Sequence, residues 1–292
     1  MGLATKFNLI LLPILALGFA ALSYTTHSTL QDNARGDVLA RAGLMMDGAA
    51  AVRSYTVEEI RPLLQLQMKR GFLPQTVPAY AATQAFLKLQ EHNPDYSYKE
   101  ATLNPTNPRD RAVDWEADVI SLFHNHPELP EFTGERDTPS GRSQFLARPI
   151  RITNEKCLVC HSVPEAAPET MIERYGTANG FGWKMNEVVG AQIVSVPMGV
   201  SIHQAEATFR SFMMTISVVF AAIVLLLNLF LYLLVIRPIR RMSKAAEQVS
   251  MGDLGAPDFH ASGRDELSVL AASFDRMRRS VENAMQMIDE KS

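Results

Sequence analysis

The chain has 292 residues, of which 47% are hydrophobic, and its formal net charge at pH 7 is -3. A chain of this length and apolar content can bury a sizeable core, and its nearly balanced charge predicts no nucleic-acid partner. The average conceals two long apolar segments, and these determine the predicted compartment of the residues between them.

Both apolar segments are predicted to cross a membrane. Residues 7–24 would span roughly 27 Å as a helix, just enough for a hydrocarbon core, and a cleavable signal peptide is the alternative. Residues 212–236 carry no charge and are followed by Arg237, Arg240, Arg241 and Lys244, so the positive-inside rule places that end in the cytoplasm. In the inner (cytoplasmic) membrane we predict a cytoplasmic start at residues 1–6, a membrane helix at 7–24, a periplasmic or otherwise extracytoplasmic domain at 25–211, a second membrane helix at 212–236 and a cytoplasmic tail at 237–292.

Helices precede strands in the external segment. Helical spacing continues outward from the first membrane helix to about residue 66, with Pro62 near its end, and further helices are predicted after Pro78 and over residues 112–124. The first of these helices has a narrow apolar stripe at Val38, Ala42, Met45, Ala49 and Val52. Strands are predicted over residues 96–103, 143–152 and 190–198. This order predicts an α+β, PAS-like domain.

The only two cysteines, Cys157 and Cys160, lie in the motif CLVCH, which ends at His161. In an exported domain this spacing has three interpretations. A disulfide would leave His161 without a role, and a zinc site would need two further ligands, for which His124 and His126 are candidates. Covalent haem uses all three residues, because the thiols add to the two porphyrin vinyl groups and the imidazole binds the iron axially. We therefore predict one haem c, bound by Cys157, Cys160 and His161.

The motif does not determine the ligand on the opposite side of the iron. A vacant sixth position suits a gas sensor, whereas firm Met or His coordination suits redox sensing or electron transfer. Residues 171–190 are rich in glycine and aromatic side chains, and they are predicted to form either a loop over the cofactor or an ordinary surface loop. The candidates for the sixth ligand are Met171, Met185, Met198, His124, His126, Arg53, Tyr55 and Tyr175.

Several separated blocks resemble a family of bacterial c-type haem domains with a PAS-like fold. In chain order the blocks are EATLNPTNPRDRAVDWEADVI, LARPI, CLVCH, NGFGW and GAQIVSVPM. The resemblance covers residues 35–200, implies an extracytoplasmic position ahead of signalling modules, and carries over only Cys157, Cys160 and His161. Some relatives have a further cysteine on an early helix as the distal ligand. This chain has none, so Arg53 and Tyr55, in the comparable helix, become positions to test.

The cytoplasmic tail is predicted to form two short amphipathic helices. Their apolar seams cannot be buried by one chain, so a parallel four-helix coiled coil in a homodimer is expected. The tail resembles a HAMP linker in Pro238, the Gly252-Asp253-Leu254 step and the Asp265-Glu266-Leu267 start of the second helix, although Ser268 stands where a glycine is common. A plain dimerising coiled coil is the alternative. The seam residues are Ile239, Met242, Ala246 and Val249, then Leu267, Leu270, Phe274, Met277, Val281 and Ala284.

These features predict a membrane receptor that reads redox state or a small gas at one haem c. The change would pass through residues 192–198 to the HAMP helices. The sequence stops at Ser292 without an output module, so we expect either a cytoplasmic signalling partner in trans or a longer natural chain. No nucleophile–base pattern is present, which predicts a protein that is not an enzyme. The alternative is a membrane-anchored cytochrome that carries electrons, which would give the HAMP helices no task.

Overall fold

A computed structural model describes residues 1–139, 141–251 and 265–289. It divides into two compact units: residues 27–208, called here the sheet unit, and residues 1–26 with 209–292, called the helical unit. The α-helices, in chain order α1 to α10, are Leu3–Tyr55, Arg61–Leu63, Gln65–Met68, Pro78–His92, Asp114–Asn125, Leu158–His161, Glu169–Tyr175, Gly199–Phe230, Arg237–Ser250 and Glu266–Asp289.

The sheet unit is built on one antiparallel sheet. Its strands β1 to β4 are Ser97–Thr102, Phe132–Thr138, Gly141–Arg151 and Val188–Pro197, in the spatial order β1-β4-β3-β2. The predicted α+β class is confirmed, and three of the strands lie where the sequence placed them. Strand β2 was not predicted, because its sequence FTGERDT has no apolar face and it lies at the edge of the sheet.

Helix α1 covers one face of the sheet through a stripe of small and medium side chains. Val38, Ala42, Met46 and Ala49 are buried in one cluster with Val194 of β4 and other sheet residues. Small side chains at α-helical spacing let the helix approach the strands closely. The predicted stripe is therefore correct in phase, with Met46 rather than Met45 at its buried centre.

Helix α5 covers the opposite face of the sheet. Its Val119, Ile120 and Phe123 are buried together with Ala101 and Ala191. Successive side chains of a strand point to opposite faces, so the sheet separates this cluster from the one under α1. The helix is confirmed where the sequence predicted it.

The first long helix changes from α-helical to π-helical geometry near its C-terminal end. It runs without interruption to Tyr55, continues as a π-helix over Thr56–Ile60, and is followed by the single turn of α2. Pro62 lies in α2, directly after the π-helix, and because proline has no N–H, the continuing helix lacks one backbone hydrogen bond there. The predicted disturbance near Pro62 is thus a change of helix type just before it.

In the part of the chain that the structure describes, two helices are long and apolar enough to cross a membrane. One is the start of α1; the other is α8, which continues through a π-helix at Leu231–Ile236 into α9. Asn8 and Asn228, the strongly polar residues within the apolar segments, donate side-chain hydrogen bonds to each other at 2.6 and 2.9 Å. Each amide thereby satisfies the other in an apolar environment.

Helices α9 and α10 form the described part of the tail. They bury Ala245, Ala271 and Arg278. Helix α10 begins at Glu266, as predicted, and the Asp265 carboxylate accepts the Ser268 N–H at 2.8 Å, which supplies its N-terminal cap. The Gly252-Asp253-Leu254 step lies outside the described residues.

Candidate functional site

The CLVCH motif forms one helical turn. A 3-10 turn at Glu155–Cys157 leads directly into α6. Asn154 starts this turn: its side-chain oxygen accepts the Lys156 N–H at 2.9 Å, and its carbonyl accepts the Cys157 N–H at 3.0 Å. Residues three apart on a helix share a face, so both half-buried thiols lie on the same side and are not bonded to each other.

The imidazole of His161 is held in one orientation and one tautomer. Its Nδ1 lies 2.7 Å from the Gly180 carbonyl, which can only accept, so Nδ1 carries the proton and Nε2 keeps its lone pair. The Trp183 ring stacks on the imidazole with the centroids 3.9 Å apart and the planes 13° from parallel. Burial lowers the pKa of His161, while the bond to Gly180 acts in the opposite direction. The imidazole is therefore neutral at pH 7 and able to bind a metal through Nε2.

Gly180 lies in a loop that folds directly onto the motif. The Gly182 N–H donates to the Ser162 carbonyl at 2.8 Å, and the Trp183 N–H donates to the His161 carbonyl at 3.1 Å. The predicted loop over residues 171–190 is only partly irregular, because α7 occupies its beginning and β4 its end. The part that follows α7 positions His161 through its backbone.

Two residues far away in the sequence fix this loop. The side-chain oxygen of Asn104 accepts the Gly180 N–H at 3.2 Å, and its side-chain nitrogen lies 3.5 Å from the Phe181 carbonyl. Gly180 has φ +84°, and a Cβ there would lie 2.0 Å from the Thr106 hydroxyl oxygen, so only glycine fits. Neither Asn104 nor Thr106 was predicted to have this role, although both belong to the family-like block that contains NPTN.

The geometry gives no support to a zinc site. Within residues 1–139, 141–251 and 265–289 there is no group of three or more His, Cys, Asp or Glu side chains placed to hold a metal ion. His124 Nε2 contacts the Val188 carbonyl, and His126 Nδ1 lies 3.2 Å from the carboxylate of Glu128. Both histidines are therefore engaged without the cysteines.

The candidates for the sixth ligand lie in different surroundings. Met198 is fully buried in the cluster under α1, and Met171 is buried in α7. Met185 and Tyr55 are exposed, and the Tyr175 ring packs edge-on against Phe72 with centroids 5.6 Å apart. None of these contacts involves His161, so the identity of the sixth ligand stays a prediction.

Two arginines lie close enough to the thiols to interact with them electrostatically. Burial acts to lower the pKa of Arg53, but the charge and hydrogen bond of Glu100, with smaller contributions from Tyr98 and Cys157, raise it overall. Burial raises the pKa of Cys160, and the charge of Arg61 partly offsets this. The positive charges of Arg53, near the end of α1, and of Arg61, at the start of α2, thus act on the two cysteines.

Arg53 also begins a polar chain that ends on strand β4. Its guanidinium donates to the Glu100 carboxylate, whose other oxygen accepts the Tyr98 hydroxyl at 2.7 Å. The Gln192 amide donates to the Tyr98 oxygen at 3.1 Å. Glu100 and Tyr98 are only 5% and 7% exposed, so the chain reaches β4 through two buried side chains, with the partly exposed Arg53 and Gln192 at its ends.

The family model described as Tll0287-like matches residues 31–197, more than half of the chain. The chain belongs to the Tll0287-like family. A HAMP domain model matches residues 230–283. A Tll0287-like domain followed by a HAMP domain indicates a signal-transducing receptor.

Among solved structures, the chain is similar to the one described as the crystal structure of the cyanobacterial heme-protein Tll0287. The two are 17% identical with a TM-score of 0.42, and the match covers 55% of this chain and 94% of that one. No curated protein matches the chain.

The Tll0287-like domain therefore presents a defined set of reactive groups. Two thiols lie on one side of a helical turn, and a neutral imidazole with a free Nε2 lies next to the second thiol. Such a set can form two thioether bonds to the vinyl groups of a porphyrin and one axial bond from the imidazole to its metal.

Proposed function

We propose that this protein is a membrane signal-transduction receptor that carries one haem c and passes a redox change or the capture of a small gas to a cytoplasmic partner. The observation that carries the proposal is the CLVCH turn with His161 already oriented by Gly180 and Trp183. The haem would supply the iron that changes oxidation state or binds the gas. The protein would not be an enzyme.

The residues present fit such a cofactor. The thiols of Cys157 and Cys160 are unbonded and on the same side of one turn, as thioether attachment requires. The Nε2 of His161 is the free axial donor, and the Nδ1 bond to Gly180 keeps the ring from rotating and makes it more basic. Membership of the Tll0287-like family, whose namesake is described as a heme-protein, supports the same cofactor.

The polar chain from Arg53 to Gln192 gives a route from the cysteine turn to the output. Strand β4 ends at Pro197 and α8 begins at Gly199, so a shift in residues 192–198 is passed on with only Met198 between strand and helix. A change in local charge near Arg53 would alter its pairing with Glu100 and hence the position of β4. A tenfold change in output requires a difference of about 1.4 kcal/mol between the two states.

The tail supports a homodimer with the HAMP helices in a four-helix coiled coil. The seam residues Ile239, Leu270, Met277 and Val281 are 40–55% exposed in the single chain, and an apolar groove runs between the two helices. Apolar side chains at these seam positions are buried when two such helix pairs associate. The partner that reads the HAMP state would act in the cytoplasm, with residues 25–211 outside the inner membrane.

The alternative proposal is a membrane-anchored cytochrome that only carries electrons. Charge reversal at Glu266 or a proline at Met277 distinguishes the two. An electron carrier with either change would keep its haem and its electron-transfer rate, whereas a receptor would keep its haem and lose the downstream response.

Absorption spectra of the purified full-length protein test how the site reads its signal. We expect a haem band in the oxidised and the dithionite-reduced protein. A shift on addition of CO or NO would identify an open sixth position and gas sensing. A spectrum indifferent to both gases would indicate a firmly ligated iron and favour redox sensing or electron transfer. Haem that dissociated from the wild-type chain on denaturation would contradict covalent attachment.

A further inference from the structure

The sheet unit contains a cavity whose lining includes none of the CLVCH residues. Its volume is about 350 Å³, within the usual range of small-molecule sites. The sheet contributes Tyr98 of β1 and Arg136 of β2, and it also contributes Ser97 and Lys99 of β1 with their partners Ser195 and Ile193 of β4. The last four residues lie on the face covered by α5, opposite the face that carries Arg53's partner Glu100.

The cavity exists because α5 covers this face only in part. The buried residues of α5 pack with Ala101 and Ala191, further along the same two strands. At the other end the sheet presents the small side chains of Ser97 and Ser195, and only Trp115, near the start of α5, reaches the cavity from that helix's apolar side. Leu87 and Ile193 complete an apolar part of the wall.

Five charged side chains line the cavity, three cationic and two anionic. Lys99 pairs with Glu116 at 2.6 Å, and Arg109 pairs with Asp110 at 3.1 Å. For the fifth, Arg136, no ion pair with a carboxylate exists in the part of the chain that the structure describes. The lining therefore has one unbalanced positive charge.

Arg136 is positioned to use that charge. Its guanidinium carbon lies over the Trp115 ring, 4.2 Å from the ring centroid, which is a cation–π contact. The N–H groups at the edge of a guanidinium then remain available, and their fork geometry matches a carboxylate. An anionic group beside Arg136 would also place the rest of a ligand against Trp115, Leu87 and Ile193.

We propose that this cavity is a second binding site, and that it takes a small organic monocarboxylate with an apolar body. Arg136 pairs with the carboxylate, and the apolar wall contacts the hydrocarbon part. An occupant would touch Ile193 and Ser195 of β4, the strand that leads into α8. The site would thus give the protein a second input, and the proposal does not depend on the haem.

Isothermal titration calorimetry of the full-length protein in detergent tests this proposal. The probes are butyrate, isovalerate and benzoate, each compared with its uncharged amide. We expect at least one carboxylate to bind about tenfold or more tightly than its amide, because the amide cannot form the charge-assisted pair. No heat from any of the three carboxylates, or equal binding of acid and amide, would overturn the proposal. Sulfate binding as tightly as the carboxylates would also overturn it, since it would show a general anion site.

Variants locate the site. Arg136→Gln should weaken carboxylate binding about tenfold or more, and Arg136→Lys, which keeps the charge but not the fork, should weaken it less. Arg35→Gln is the matched control, because Arg35 pairs with Glu135 at 3.6 Å and does not line the cavity. Circular dichroism establishes that each variant is folded. If Arg136→Gln and Arg35→Gln had the same effect on binding, the assignment of Arg136 would be wrong.

Discussion

Replacing Gly180 with alanine should destabilise the sheet unit by about 2–5 kcal/mol. A left-handed conformation costs a residue with a side chain about 1–2 kcal/mol, and Gly180 has φ +84°. The added Cβ would also lie 2.0 Å from the Thr106 Oγ1 and 2.9 Å from the Thr106 Cα. Because a backbone atom cannot move aside like a flexible side chain, overpacking adds about 1–3 kcal/mol.

Gly182→Ala is the matched control for this experiment. Gly182 also has φ +84°, but no atom lies within 4 Å of its would-be Cβ. Its replacement should cost only the conformational part, about 1–2 kcal/mol. Removing the hydroxyl in Thr106→Ala should make Gly180→Ala less costly, since the two side chains would no longer collide as severely.

Urea unfolding of the chain expressed without cofactor attachment measures these differences. The two tryptophans of the chain, Trp115 and Trp183, both lie in the sheet unit, so their fluorescence reports on that unit. Equal costs for Gly180→Ala and Gly182→Ala would refute the reasoning, because they would show that Thr106 does not confine the loop that orients His161.

Three further predictions concern buried polar groups. Arg53→Met should lower the free energy of unfolding in urea by about 3 kcal/mol, because it leaves Glu100 buried without its partner. The Arg53→Met, Glu100→Met double variant should recover most of that loss, and no recovery would contradict the pairing. Without cofactor, the lowered pKa of His161 means that the unfolded chain binds the proton more strongly than the folded chain. The free energy of unfolding should therefore fall as the pH drops below the ordinary pKa of 6.5. A His161→Gln variant with the same pH profile as the wild type would rule this out. Asn228→Leu should weaken the pairing of the two membrane helices by about 0.6–2 kcal/mol, measured as thermal unfolding in micelles. Adding Asn8→Leu should weaken the pairing little further. Additive losses would mean that the two amides do not bond to each other.

The sequence was informative where one local pattern determines one structure. Apolar spacing predicted the stripe of α1, and alternation predicted β4 with its direct continuation towards the second membrane helix. The three-residue spacing of Cys157 and Cys160 predicted that both thiols would share one side of a turn. The exposed seams of α9 and α10 were predicted in the same way.

Features that depend on distant residues could not be read from local patterns. The orientation of His161 depends on Gly180, and the position of Gly180 depends on Asn104, which is 76 residues away. The Arg53–Glu100 pair likewise joins α1 to β1 across 47 residues of sequence, a contact that no local pattern predicts. Strand β2 was missed because an edge strand with alternating charges lacks the apolar face that predicts strands.

The central claim is that Cys157 and Cys160 hold one haem covalently in a HAMP-linked receptor. Intact mass spectrometry of the full-length chain, produced in a host that attaches c-type haem, tests it most directly. We expect the mass of the polypeptide plus a single haem, and the polypeptide mass alone in the Cys157→Ala, Cys160→Ala double variant. A correctly folded wild-type chain at the unmodified polypeptide mass would contradict the claim.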